Sequence, residues 1–471
     1  MIDQPAKVSY FFGQGYKDLV NTIKEAWSRN FSTAKRNFHD ANENGFISIS
    51  GGINLVTAIS VFVFGSIITA IATFIHVGVL AIFFTLIYIG FAFLWAVDRI
   101  YIFANKIKNV CSNPDCQASF LIPVYECPTC GRLHTQLVPS KYGILKRTCL
   151  CGNKLPTTFL NGRGNLAAYC PSCKHPLSGD TGSRQYAFPM IGGPSVGKTC
   201  YINMTIDQLI NNIAPNNGWQ INFLTESNAR EHAQNMRLLQ AGIRLMKTES
   251  SALTAYQMML SLPNKKIKRR IYIYDISGEI FSSSRNVSSN QAFTYADGFT
   301  FIFDPLSLDK FRMEVHDIVD EKSYGASSNN PDDTLDIMLV NVQKMFNLSD
   351  KDMLNRNLAV VINKVDILIS ENNTTLRDKI GAVAAHKYLA DNSETCKTFE
   401  EACDKVCRNF LMDYGAGNFI RKAESKFKNV RYFTCSALGH NIQGKPYKAE
   451  NVTEPFMWLL QKVDSDIKLI N

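Results

Sequence analysis

"MIGGPSVGKT", Met190 to Thr199, is the stretch on which the architecture turns. Its core, Gly192-x-x-x-x-Gly197-Lys198-Thr199, has the spacing of a loop that cradles phosphate. "RQYAFPMI" ahead of it reads as a strand and "KTCYINMTIDQLI" behind it as a helix, the context that such a loop requires. Gly192, Gly193, Pro194, Ser195, Val196 and Gly197 are expected to wrap a phosphate group. Backbone N–H groups running into the helix N-terminus, through Lys198, Thr199 and Cys200, would meet its oxygens. Lys198 is expected to neutralise the outer phosphates, and the Thr199 hydroxyl to ligate Mg²⁺.

A phosphate loop does not name a base, but three later stretches do. "RRIYIYDISGE" is a β-branched and aromatic strand ending in Asp275-Ile-Ser-Gly278. Asp275 would hold Mg²⁺ through water, and the Gly278 N–H would meet the terminal phosphate. After another buried strand, "GFTFIFDP", comes "NLAVVINKVD", ending in Asn363-Lys364-Val365-Asp366. A carboxylate at Asp366 accepts from the N1–H and exocyclic amine of guanine. Adenine offers neither donor, so it would leave a buried carboxylate unpaired. The Lys364 stem would cover the base. In "VRYFTCSALG", a backbone N–H from Ser436-Ala437-Leu438 reaches the guanine O6 position. The expected cofactors are GTP or GDP with Mg²⁺.

In order and context these four motifs resemble the translation-factor-like (TRAFAC) superclass of P-loop GTPases, which includes the Ras-like families. The resemblance covers about residues 184 to 465 and implies a Ras-like α/β domain that hydrolyses GTP. A fainter likeness lies in "WQINFL" followed by "LQAGIRLMKT", which resembles the prokaryotic double-GTPases of conflict and phage-defence loci. It implies a defence or signalling role. Two departures bear on catalysis. Between Thr199 and Asp275 no clear switch threonine stands out; Thr248 is the candidate and Thr254 its rival. Glu279 follows Gly278 where Ras-like proteins usually carry Gln. A carboxylate there can orient or deprotonate water, but it sits beside a negative phosphate. Slow intrinsic hydrolysis is expected, or a partner protein that supplies an arginine. Thr248 and Glu279 therefore join Lys198 as catalytic candidates. "EIFSSSRNVSSNQ" has the Ser/Asn-rich composition of a switch, with Arg285 read as solvated. The long insert from Ile367 to Lys428 reads as helical and as a surface for an effector or activator.

Upstream the chain changes character. From Asn44 to Val97 there is no Asp, Glu, Lys or Arg. That is too long for one membrane pass of about 20 residues and suits two. A two-helix transmembrane hairpin over 44–100 is expected, turning near His76 and Gly78, with Trp95 and Tyr101 near an interface. Lys35, Arg36, Arg99, Lys106 and Lys108 flank its outer ends, which puts both termini in the cytoplasm. Ahead of it, residues 1–43 carry Leu19, Val20, Ile23, Trp27 and Phe31 at helical spacing. That helix packs on its own protein or lies in the lipid interface.

Of the formal net charge of +9, residues 98 to 190 contribute +7, from eleven Lys/Arg against four Asp/Glu. Anionic lipid suits such a patch. Nucleic acid is the lesser alternative, through Arg132, Lys141, Lys146, Arg147 and Lys154. Eight of the thirteen cysteines fall in the same region. The first thirty residues carry Lys7, Asp18, Lys24 and Glu25 and no cleavable apolar core, so a reducing compartment and metal ligation are expected rather than disulfides. Two zinc ribbons over 105–183 follow from "CSNPDC" with "CPTCG" (Cys111, Cys116, Cys127, Cys130) and "CLCG" with "CPSC" (Cys149, Cys151, Cys170, Cys173). Pairing across the two sets stays open, as does replacement of a thiolate by His134 or His175. Four protein ligands make each zinc structural, and metal binding would supply folding energy to so small a segment.

The expectation for the whole is a membrane-anchored GTPase switch, with 184–471 as its Ras-like domain. The rivals are a GTP-sensing scaffold that hardly hydrolyses and a homo-oligomer that breaches the bilayer.

Overall fold

Strands four to nine residues long build a seven-stranded sheet in the computed structural model. The structure describes all residues except 1–3, 112, 114, 115, 117, 178–180, 246–252, 277–295, 318, 320–324, 326, 328, 347–349, 369–378, 441–443, 470 and 471. The strands are β1 (Arg184–Ile191), β2 (Gln220–Phe223), β3 (Leu253–Ser261), β4 (Arg269–Ile276), β5 (Gly298–Phe303), β6 (Asn357–Ile362) and β7 (Asn429–Thr434). Their spatial order is β2-β3-β4-β1-β5-β6-β7. β2, β3 and β4 pair antiparallel, while β4, β1, β5, β6 and β7 run parallel.

Both faces of this sheet are covered, which is why its central strands read as unbroken apolar runs. Alternate residues divide between two cores. Tyr272, Tyr274, Phe299, Phe301 and Phe303 join one core with Leu335, Met338, Phe410 and Phe419. Ile271, Ile273, Ile302 and Val361 join the other with Tyr201, Ile202, Phe456 and Leu459. The expected α/β class is the one observed, and β1, the phosphate-loop strand, lies at the centre. The chain divides into two units, Met1–Lys106 with Ile122–Pro171 and Ile107–Leu121 with Ser172–Asn471; the sheet belongs to the second.

The first unit holds two long helices. α1 (Gln14–Glu43) is followed by a helix from Ile49 to Ala104, α2, with one π-helical turn at Val61–Gly65. α2 has 56 residues, is long and apolar enough to cross a membrane, and its most apolar stretch is not buried inside the protein. The expected turn near His76 and Gly78 is not there; the helix passes straight through both. The physical reason is that nothing breaks it. The segment has no proline, and the glycine at 78, like any of the five in this helix, costs only about 1 kcal/mol against alanine. A hairpin does exist, but it bends at Asn44–Ser48 and its other arm is α1. Phe38 meets Phe46, Phe31 meets Phe62 and Phe12 meets Tyr88, so α1 runs antiparallel along α2. Asn30 donates to Ser66, and a Cβ on Gly65 would lie 2.2 Å from the Asn30 side-chain oxygen. Glycine there lets the helices touch.

The far end of α2 is anchored by charge. Asp98 is buried and pairs with buried Arg163 at 2.9 Å, and its other oxygen accepts from the Phe159 N–H at 3.0 Å. Tyr101, read as an interfacial aromatic, stacks on Phe159. Around it, Val124–Glu126 pairs with Leu133–His134 and with Ala168–Tyr169, and Lys146–Thr148 pairs with Lys154–Pro156. Arg147, read as part of a basic surface, is buried and donates to the carbonyls of Thr135 and Gln136.

Candidate nucleotide site and cysteine groups

Parallel strands that end together present their following loops together. The phosphate loop follows β1, Asp275 closes β4, Asn363 follows β6, and Ser436 follows β7 by two residues. Gly192 is tight against the sheet: a Cβ on it would lie 2.2 Å from the Ile302 carbonyl oxygen. Gly197 has φ +89° and caps the helix Lys198–Gln208, α3. Lys198 folds back into the loop, donating to the carbonyls of Gly192 at 2.9 Å and Gly193 at 2.8 Å. Burial pushes its ammonium down to about 8, against the opposing pull of Asp275. Thr199 donates its hydroxyl to Asp275 at 2.7 Å. Those two oxygens are the pair that would share a Mg²⁺ ion, so the donor set fits one.

The later motifs close on the same loop. Asn363 donates to the Val196 carbonyl at 2.8 Å and accepts from the Ala437 N–H at 3.1 Å. One amide therefore ties the phosphate loop to the last motif. Asp366 accepts from the Ser436 hydroxyl at 2.6 Å, and the Gly439 N–H donates to that hydroxyl at 2.7 Å. Burial raises the Asp366 carboxyl, partly offset by Ser436. Lys364 sits at φ +60° and pairs with Asp304 at 2.8 Å. The cysteines flanking these motifs, Cys200 and Cys435, are half-buried and buried respectively.

Thr248, Gly278, Glu279 and Arg285 lie outside the described residues. The rival Thr254 lies in β3, paired in register with Asp275. Three nearby residues were not read from the sequence: Asp304, Ser327 and Arg244. Asp304 had one available signal, a carboxylate closing an otherwise apolar strand.

Residues 187–411 match the model of the Double-GTPase 2 family. That stretch is somewhat under half of the chain and takes in the phosphate loop, Asp275 and the Asn363–Asp366 motif. The match supports a P-loop GTPase family. The chain is also similar to SaeC of Mycolicibacterium smegmatis, provisionally named as an ESX-1 scaffolding and assembly protein. The two are 23% identical over 314 residues, covering 62% of this chain and 78% of SaeC.

The cysteines gather in two groups of four, with the ligand atoms of each group within 4.8 Å of one another. The grouping is nested rather than sequential. Cys111 and Cys116 join Cys170 and Cys173, while Cys127 and Cys130 join Cys149 and Cys151. Chain order misleads here because Val124–Glu126 pairs on one side with Leu133–His134 and on the other with Ala168–Tyr169. Neither His134 nor His175 belongs to either group. Sulfur separations of 3.5 Å (Cys111–Cys173), 3.7 Å (Cys127–Cys151) and 3.6 Å (Cys130–Cys149) suit the edges of a tetrahedron. Zinc bonds of about 2.3 Å give edges of about 3.8 Å, so both groups fit zinc. Burial pushes the Cys127 thiol up, but the N–H groups of Thr129 and Cys130 and the Asn153 amide outweigh it and bring it to about 6.

Proposed function

We propose that this chain is a GTP-binding switch, held at a membrane, whose nucleotide state governs assembly with partner proteins. The observation that carries it is Asn363, which bonds both the Val196 carbonyl and the Ala437 N–H. Base recognition and phosphate binding are thereby built on one frame. Half-buried Asp366 rewards a purine that donates twice, and Thr199, with Asp275 acting through water, would hold Mg²⁺. Bound Mg²⁺ would neutralise phosphate charge. This chain's residues would do the rest: Lys198 binds the outer phosphates, and Glu279 and Thr248 act on the attacking water.

α2 supports the membrane part. Its 56 residues span about 84 Å, whereas a bilayer core is about 30 Å thick. Lipid accommodates about 20 of them, and α1, further copies or headgroups cover the remainder. Arg99, Lys106 and Lys108 favour a cytoplasmic position for the end that follows. The two cysteine groups, loaded with zinc, are structural. Likeness to a protein named for scaffolding favours assembly over defence as the setting, and favours slow hydrolysis with the state read by a partner.

The test uses the full chain in detergent, with equilibrium binding of GTP and ATP and single-turnover phosphate release. GTP should bind at least about a hundredfold tighter than ATP, and Lys198→Ala should abolish binding. ATP held as tightly as GTP, or binding that survives Lys198→Ala, defeats the reading.

A further inference from the structure

Asp304 follows β5 and its side chain is fully buried. A carboxylate in that position must be matched by donors. One oxygen accepts from the Leu306 N–H at 2.9 Å. The other accepts from Lys364 at 2.8 Å and from the Ser327 N–H at 3.2 Å. The first bond is local turn chemistry, while the other two reach opposite halves of the nucleotide site.

Lys364 stands inside the Asn363–Asp366 motif, in a left-handed backbone conformation that lysine rarely adopts. Such a conformation persists where its surroundings hold it. Asp304 and the Gly325 carbonyl, which accepts from the same ammonium at 3.0 Å, provide the hold. Ser327 belongs to the stretch 325–330, described at 325, 327, 329 and 330. Arg312 donates to the Ser327 carbonyl at 2.8 Å, and the Asn330 side chain accepts from the Asp332 N–H at the start of the helix Pro331–Phe346. Within the stretch, Ser327 and Asn330 are thus each tied to the surrounding helices.

Its inner side packs on the phosphate loop. A Cβ on Gly193 would come 3.1 Å from the Asn329 Cβ and 3.5 Å from the Ser327 hydroxyl. Ser327 is buried, and its hydroxyl has no hydrogen-bond partner among the described residues. The phosphate-loop spacing leaves position 193 open to any residue; packing of this stretch is what asks for glycine. Arg244 approaches the same place, its guanidinium 4.0 Å from where a Cβ on Gly325 would sit.

We propose that Asp304 is a positioning residue of the nucleotide site. Its carboxylate sets Lys364 for the base and Ser327 for the phosphate loop, so the two halves respond together. The inference rests on the guanine-nucleotide reading above. Without the negative charge, Lys364 keeps only neutral acceptors such as the Gly325 carbonyl, and the single oxygen of an asparagine cannot serve both the Leu306 N–H and the Lys364–Ser327 side. Selectivity for the base then falls along with affinity.

The experiment measures dissociation constants of the full chain for GDP and ADP, by displacement of a fluorescent GDP, in wild type, Asp304→Asn, Asp304→Glu, Lys364→Met and the Asp304→Asn/Lys364→Met double variant. Asp304→Asn should weaken GDP by about tenfold or more, the scale of a lost charge-assisted bond, and should narrow the GDP-over-ADP preference. Asp304→Glu should recover part of both. The double variant should bind within about threefold of the weaker single variant, because the two substitutions share the Asp304–Lys364 contact. A purely structural role would weaken GDP and ADP alike. Unchanged preference, GDP affinity within about twofold of wild type, or losses that add in full overturn the proposal. Should Asp304→Asn fail to fold, Lys364→Arg still reaches Asp304 and should keep most GDP affinity where Lys364→Met loses it; equal loss overturns the proposal. A wild-type chain with no preference for GDP refutes the guanine reading itself; a preference that Asp304→Asn leaves intact refutes this inference alone.

Discussion

Lys198 is a buried ammonium held by two loop carbonyls, with the Asp275 carboxylate nearby. Its charge is disfavoured, and its affinity for protons is lowered to about 8. The sign of the linkage follows. Below about 8 the folded chain carries the full cost of the buried charge; as pH rises from there toward the ordinary lysine value, the cost fades and the nucleotide-free protein gains stability. A bound phosphate restores the charge. Lys198 should therefore take up on the order of half a proton when GDP binds at pH 8 and almost none at pH 6.5, where the nucleotide's own terminal phosphate instead releases protons. Calorimetry in buffers of different ionisation enthalpy measures this, and uptake that does not vary with pH would show that Lys198 keeps its charge in the free site. Asn363, Asp366 and Ser436 could be read because each belongs to a short motif with a strand before it. Asp304 and buried Arg163 could not, because their partners Lys364 and Asp98 are about sixty positions away in the chain and come close only on folding.

Helices depend on their neighbours more than on their own composition. α2 was legible as an uncharged helical run, but the place of its bend was not, since one glycine does not end a helix. The bend lies at Asn44–Ser48, where Ser48 accepts from the Gly51 N–H and caps the new helix. At the other end Asp98 lies just past the uncharged run. Removing one partner of a buried ion pair leaves the other uncompensated, so Asp98→Ala should cost about 3–5 kcal/mol. A lower urea midpoint, with Cys127–Cys151 metal binding loosened, is the expected result; a midpoint within experimental error of wild type would mean that Arg163 is satisfied by the Leu137 and Thr157 carbonyls.

Across the whole molecule, the cysteine groups give a direct test of topology. With nested pairing, replacing Cys127, Cys130, Cys149 and Cys151 together by serine removes one complete group and spares the other, leaving about one zinc per chain. Sequential pairing would break both groups and leave none. Metal analysis of the purified chain distinguishes them, against about two zinc in wild type. Local order in the chain dictated the phosphate loop, the alternating strands, the apolar helix and the presence of metal-type cysteines, because each is set by residues within a few positions of one another. Folding in three dimensions chose which cysteines share a group, where the helical hairpin bends and which carboxylate meets both Lys364 and the Ser327 N–H. Those choices join residues tens of positions apart, and their energies come from burial and close approach, which spacing along a chain does not record.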